Sequence, residues 1–168
     1  MRMSPDTTPG VDPEQIRAEC EAVIMSGVFG GYDAALGYFA RVKAVPGMAV
    51  VGPVMAETFA DAIQRSATAA GAVLHSGVAD VRRFLPSERH AYARLPAGIP
   101  LETRLQGRGI HRAMQRHAHA YVTARARGED ERASAVLNRL SEDQLGQLVF
   151  MLWATAMQAA RAALAHLE

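Results

Sequence analysis

The stretch SEDQLGQLVFMLWATAM, residues 141–157, decides the fold class. Ser141 with Gln144 three residues later has the form of a capping box, in which each side chain satisfies the other's backbone amide. Leu145, Leu148, Val149, Leu152 and Met157 then recur at helical spacing, and Leu164 extends the pattern. Between Leu148 and Met157 the helix is apolar over more than one stripe, with Phe150 and Trp153 among the extra positions. A helix apolar on most sides is either the buried centre of a domain or is covered by a second subunit. The spacing therefore predicts a core or interface helix, and its breadth predicts a homodimer. The apolar stretch Leu145–Met157 is short for a bilayer and is interrupted by Gln147, so no membrane span is expected.

Outward from this helix, the chain reads as all-α. The expected architecture is a single-domain bundle of five or six helices over residues 12–168, with a C-terminal antiparallel helical hairpin. Residues 1–11, rich in Pro, Thr and Ser, read as a disordered tail. Asp12, Pro13 and Gln15 form a helix start, and Ile16, Cys20, Val23 and Ile24 give that helix its apolar stripe. Gly27, Gly30 and Gly31 are expected to break it. A second helix is expected from about Tyr32 to Val45, with Leu36, Phe39 and Val42 buried. The stretch PGMAVVGPV, residues 46–54, reads as a buried connector or a short strand at Ala49–Val51.

Pro53 is then expected to open a long third helix that runs to Leu85, kinked near Gly71 or Gly77. Ser87 caps a short segment, and LPAGIP at residues 95–100 is a linker and a possible sub-boundary. A fourth helix is expected over about Leu101–Arg127, closed by Gly128. Glu129, Asp130 and Glu131 favour the start of a fifth, because negative charge suits a helix N-terminus. The short turn to the final helix predicts the antiparallel hairpin.

Composition bounds the function more than it names it. The 168 residues carry a net charge of +1, so no bulk attraction to nucleic acid or lipid is expected. The charge is uneven: residues 1–84 carry −2 and residues 85–168 carry +3. Cys20 is the single cysteine, which excludes an intramolecular disulfide, fits a reducing cytosol, and reads as a buried thiol. No nucleotide loop, zinc signature, nucleophile elbow or Cys-x-x-Cys pair is present. Glu-x-x-His, the mark of carboxylate di-iron bundles, is absent too. Neither a metal nor a cofactor is expected.

The one chemical pattern is a basic stripe. Arg108, Arg112 and Arg116 recur every four residues and His119 continues the line. At about 100° per residue these four share one helix face, with Ile110, Met114, His117 and Tyr121 roughly opposite. Guanidinium groups so arranged suit phosphates or an acidic protein surface, although a solvated helix face explains the same pattern. The leading expectation is a non-catalytic cytosolic interaction or regulatory protein that uses this face on an acidic partner. An alternative is a small-molecule or cofactor-binding protein, possibly an enzyme, with a pocket between the third and fourth helices near His75, His117 and Tyr121. Nucleic-acid binding ranks below both, because the stripe has no aromatic side chain beside it for stacking.

Overall fold

The Asp12 carboxylate accepts a hydrogen bond from the Glu14 amide at 3.0 Å, and the first helix, α1 (Pro13–Val28), starts there. Gln15 does not complete the box, because its amide turns along the helix to Glu19 instead. Gly27 does not break α1 either. It lies within the helix, buried against Met157 and Trp153. The computed structural model describes residues 11–44, 47–86 and 101–167, with side chains in the fourth helix described from residue 111 onward. The expected tail, the segment capped by Ser87 and the sub-boundary at 95–100 lie outside the described residues.

Five more helices follow: α2 (Tyr32–Ala44), α3 (Met48–Ala69), α4 (Leu101–Ala126), α5 (Asp130–Asn138) and α6 (Glu142–Leu167). A short 3-10 turn at Val81–Arg83 precedes α4. The described residues form no strand, only an isolated bridge between Val73 and Ala79. The fold is all-α, as the periodicity predicts, and the six helices form a single bundle-like arrangement.

The capping box of α6 forms in full. Ser141 donates its amide to Gln144 Oε1 at 2.9 Å, and Gln144 donates its amide to Ser141 Oγ at 3.2 Å. From there α6 runs through the centre of the molecule. It packs against α3 along most of its length and against α1 and α4 on other sides. Leu148, Val149, Leu152, Trp153, Ala156 and Ala159 are buried within the chain. The helix is long and apolar enough to cross a membrane by length and composition, longer than the stretch Leu145–Met157 suggests. However, 56% of its most apolar window is buried inside the fold, the pattern of a core helix. The apolar breadth that pointed to a second subunit is thus taken up internally, except at Phe150, which is exposed.

α3 departs from the sequence reading at both ends. It starts at Met48, so the expected connector or strand is its first turn and Pro53 lies inside the helix. Proline removes one backbone bond there and crowds the residue before it. That residue is Gly52, which has no side chain to crowd. A Cβ at Gly52 would also stand 2.7 Å from Leu145 Cδ2 and 2.9 Å from Cγ, so the same glycine lets α6 approach. Burial of Met48, Val51 and Met55 against the core offsets the lost bond. Gly47, at the N-cap, supplies no side-chain acceptor. Glu142 of α6 does so instead, lying 3.4 Å from the Ala49 amide. α3 and α6 therefore begin side by side and run parallel.

At its other end α3 stops at Ala69, well short of Leu85. Residues 72–80 fold into a tight hairpin instead: the Leu74 amide bonds the Val78 carbonyl at 2.8 Å, and the Asp80 amide bonds the Ala72 carbonyl at 2.9 Å. Gln64 braces this loop from α3. Its oxygen accepts from the Ala79 amide at 2.8 Å and its nitrogen donates to the Gly77 carbonyl at 2.9 Å. Val78, Val81 and Phe84 are buried, so the apolar spacing is real but is met by a loop.

The expected C-terminal hairpin of the last two helices is also replaced. The turn between α5 and α6 is short, yet α5 packs chiefly on α4, and α6 packs on α3. The pair joined through Gly128 takes the hairpin's place, with Ala133 buried and α6 drawn into the core.

Two glycine substitutions separate these packing demands. Gly52→Ala is expected to lower the unfolding free energy by about 1–3 kcal/mol, since Leu145 must move. Gly146→Ala meets only Met48 Cγ at 3.4 Å and is expected to gain up to about 1 kcal/mol from helix propensity. Denaturant unfolding of both variants checks this, and a loss of equal size at the two sites would contradict the assigned crossing point.

Candidate interaction surface

The second half of α4 has two faces of opposite character. Met114, Ala118, Tyr121 and Val122 are buried, while Arg112, Arg116 and Ala120 are exposed. His119 is half-buried at the edge of the exposed face, and His117 is half-buried as well. The helical spacing thus places Arg112 and Arg116 on one outer face, with Met114 and Tyr121 away from it. The side chain of Arg108 lies outside the described residues. Arg112 and His111 are already engaged within the chain. His111 Nε2 lies 3.0 Å from the Pro86 carbonyl oxygen, and Gln115 donates to the same oxygen at 3.0 Å. Together they fix the end of the segment that carries the 3-10 turn.

The buried side of α4 ends on an arginine that the stripe does not include. Arg125 donates to both carboxylate oxygens of Asp61, at 3.2 and 3.1 Å, and approaches Glu57 at 3.6 Å. It also reaches Asp130, at the start of α5, at 3.4 Å. One guanidinium thereby joins α3, α4 and α5 and faces three carboxylates. Its side chain is 23% exposed. Burial opposes its charge, but the Asp61 hydrogen bond and the Asp61 and Glu57 charges more than offset this and raise its proton affinity. Tyr121 lies in the same neighbourhood, and burial pushes its phenol above the usual range while the Arg125 charge acts against the rise. Glu57 and Asp61 carry no local sequence signal as Arg125 partners, because the contact spans 64 residues.

Among the described residues, His75 and His117 do not line one cavity. His75 is not beside the core stripe of a long helix; it stands exposed at the tip of the Gln64-braced hairpin. It lines an open depression of about 630 Å³ with Val73, Leu74, Ser76, Asp80 and Arg83. Neither His117 nor Tyr121 belongs to that lining, and Tyr121 is buried under α3 carboxylates instead. Helix termination at Ala69 is the cause, since it carries His75 into the loop. Among the described residues, no three His, Cys, Asp or Glu side chains converge in a way that could hold a metal ion.

Cys20 is fully buried between α1 and its neighbours. Burial pushes its thiol from 9.0 up to about 12, with the Tyr38 hydroxyl acting against the rise and the Glu19 and Glu21 charges adding to it. Such a thiol is a poor nucleophile in the folded state. Comparison with protein-family profiles, with curated proteins and with solved structures found no match for this chain.

Two outcomes follow from this geometry. Arg125→Met keeps the side-chain stem and removes the charge, leaving three carboxylates unopposed. It is expected to cost about 1–2 kcal/mol, a figure held down by the exposure of the acidic partners. In a double-mutant cycle with Asp61→Asn, a coupling energy near zero would count against the network. Separately, the raised Cys20 pKa means that unfolded chains ionise first as the pH climbs. Its contribution to stability is fully present below pH 9.0 and is lost progressively between there and about 12. The difference in unfolding free energy between wild type and Cys20→Ala should therefore narrow over that range, and a constant difference would show that burial does not suppress the thiolate.

Proposed function

We propose that the protein is a non-catalytic interaction module whose basic α4 face docks on an acidic protein surface. The reading is supported by one contrast along α4. Arg125, on the inward face, has drawn Asp61, Glu57 and Asp130 to itself. Arg116, on the outward face, is exposed and has no ion pair among the described residues. Arg112 stands one turn before it on that face. The carboxylates around Arg125 are thus committed to the interior, which leaves Arg116 available to a partner. A partner carboxylate would meet a planar, bidentate donor there, which favours Arg over Lys at such positions.

The absence of an aromatic side chain on this face favours a protein partner over single-stranded nucleic acid, which would use stacking. The single cysteine is buried and held as the thiol, which removes it as a nucleophile. A role in the cytosol fits that thiol.

Fluorescence anisotropy with a labelled oligo-glutamate peptide tests the reading, with a DNA duplex of similar charge as comparator. The wild type is expected to bind the peptide at low salt. Arg112→Glu with Arg116→Glu is expected to abolish binding while the circular dichroism spectrum stays helical. Equal binding by wild type and the doubly reversed protein would remove α4 as the docking face. Preference for the duplex, with a steep loss of affinity as salt rises, would replace the acidic protein partner with nucleic acid.

A further inference from the structure

The sequence spacing places Leu36 inward with Phe39 and Val42, but the structure turns it out. Leu36 is 48% exposed, while Ala35, Tyr38, Phe39 and Val42 are buried. α2 therefore offers an apolar side chain to solvent as well as to the core.

Phe150 of α6 is the second large apolar side chain on that flank. It is 42% exposed, and its ring centre lies 5.7 Å from that of Phe39 and 5.3 Å from that of Trp153. Both of those rings are buried, so they hold Phe150 from behind and present its outer side in a fixed attitude. Leu36 stands three residues before Phe39, which makes the two neighbours on the helix surface. Leu36 and Phe150 thus flank Phe39, one from α2 and one from α6. An apolar ring already immobilised by its own chain loses little freedom when a partner covers it, which is the character of an interface anchor.

The charges beside this patch say what covers it. Asp33, Leu36, Ala40 and Lys43 follow one another at steps of three, four and three residues, so they form one stripe along α2. All four are exposed. The helix is acidic in its first turn and basic in its last. An antiparallel copy of the stripe sets Lys43 against Asp33 at both ends and the small Ala40 opposite Leu36, where it leaves room for the larger side chain. A parallel copy would set like charge on like. The face is complementary to itself under a two-fold rotation and not under parallel pairing.

We propose that α2 and Phe150 form the contact face of a symmetric homodimer, in which two copies of α2 pack antiparallel across a two-fold axis at the middle of the helix. Leu36 and Phe150 supply its apolar centre, and Asp33 pairs with the partner's Lys43 at each end. The 13 residues of α2 make a helix about 20 Å long, which suits a small, reversible interface. The dimer does not rest on docking by α4.

Sedimentation velocity of the full chain over a concentration series tests this. The wild type is expected to pass from monomer to dimer as the concentration rises. Leu36→Glu changes an exposed position and is expected to weaken association at least about tenfold, with the circular dichroism spectrum still helical. Asp33→Lys alone and Lys43→Asp alone should each weaken it about tenfold by setting like charges together, and the two combined should recover most of the wild-type affinity. Asp33 and Lys43 also suit the ends of their own helix, and the recovery separates pairing from that role, because the combined variant sets both charges against the helix dipole. A wild type that stays monomeric throughout overturns the proposal. So does a dimer that Leu36→Glu leaves intact, or one that the combined swap fails to restore.

Discussion

The close approach of α3 and α6 at Gly52 is the contact on which the rest of the molecule depends. It sets two long apolar helices in parallel from a shared end, and α1, α2 and α4 fill the sides they leave open. A parallel start brings two helix N-termini together, each with unpaired amides and a partial positive charge. Glu142 and Asp143 supply negative charge there, and Glu142 also serves as the missing cap of α3. The packing of the core and the electrostatics of its end are thus solved by neighbouring residues of one helix. Gly52 serves two ends as well, because the residue that admits Leu145 also relieves the crowding imposed by Pro53.

Arg125 closes the structure on its other flank. It binds three helices at once, and the carboxylates around it outnumber it. Tyr121 beneath it and the acidic start of α5 beside it make that corner polar, at the edge of an aliphatic and aromatic core. The outer face of α4 inherits its character from this arrangement. Acidic side chains gathered inward cannot also screen Arg116.

Much of the fold was legible where the signal is local. Asp12 and the Ser141–Gln144 box mark helix starts that form at those residues, and the acidic run before Ala133 opens α5. The two faces of α4 follow from spacing alone, and so does the burial of Cys20. Readings failed where a distant residue decides the outcome. Glycine and proline in residues 46–54 resemble a connector until α6 is laid against them, and no local rule predicts a cap from a residue 93 positions away. Leu74, Val78, Val81 and Leu85 keep helical spacing through a loop, because a hairpin braced by Gln64 buries Val78 and Val81 just as well. His75 goes with them into the loop, apart from His117. The partners of Arg125 were invisible since carboxylates are common and α3 shows no pattern that singles out Glu57 and Asp61.

The parallel pairing of α3 with α6 has a consequence for the order in which the chain acquires structure. Helices that pair across a short turn can zip as they are made, but these two are separated by the whole of α4 and α5. Closing so long a loop is costly in chain entropy, and topologies rich in distant contacts fold slowly. While the chain is being synthesised, α3 emerges after α1 and α2, which cover part of its apolar face, and the larger cover from α6 arrives last. Nascent chains of this protein therefore present the α6-facing side of α3 until α6 is made, the kind of apolar surface that holdase chaperones bind and on which incomplete chains aggregate.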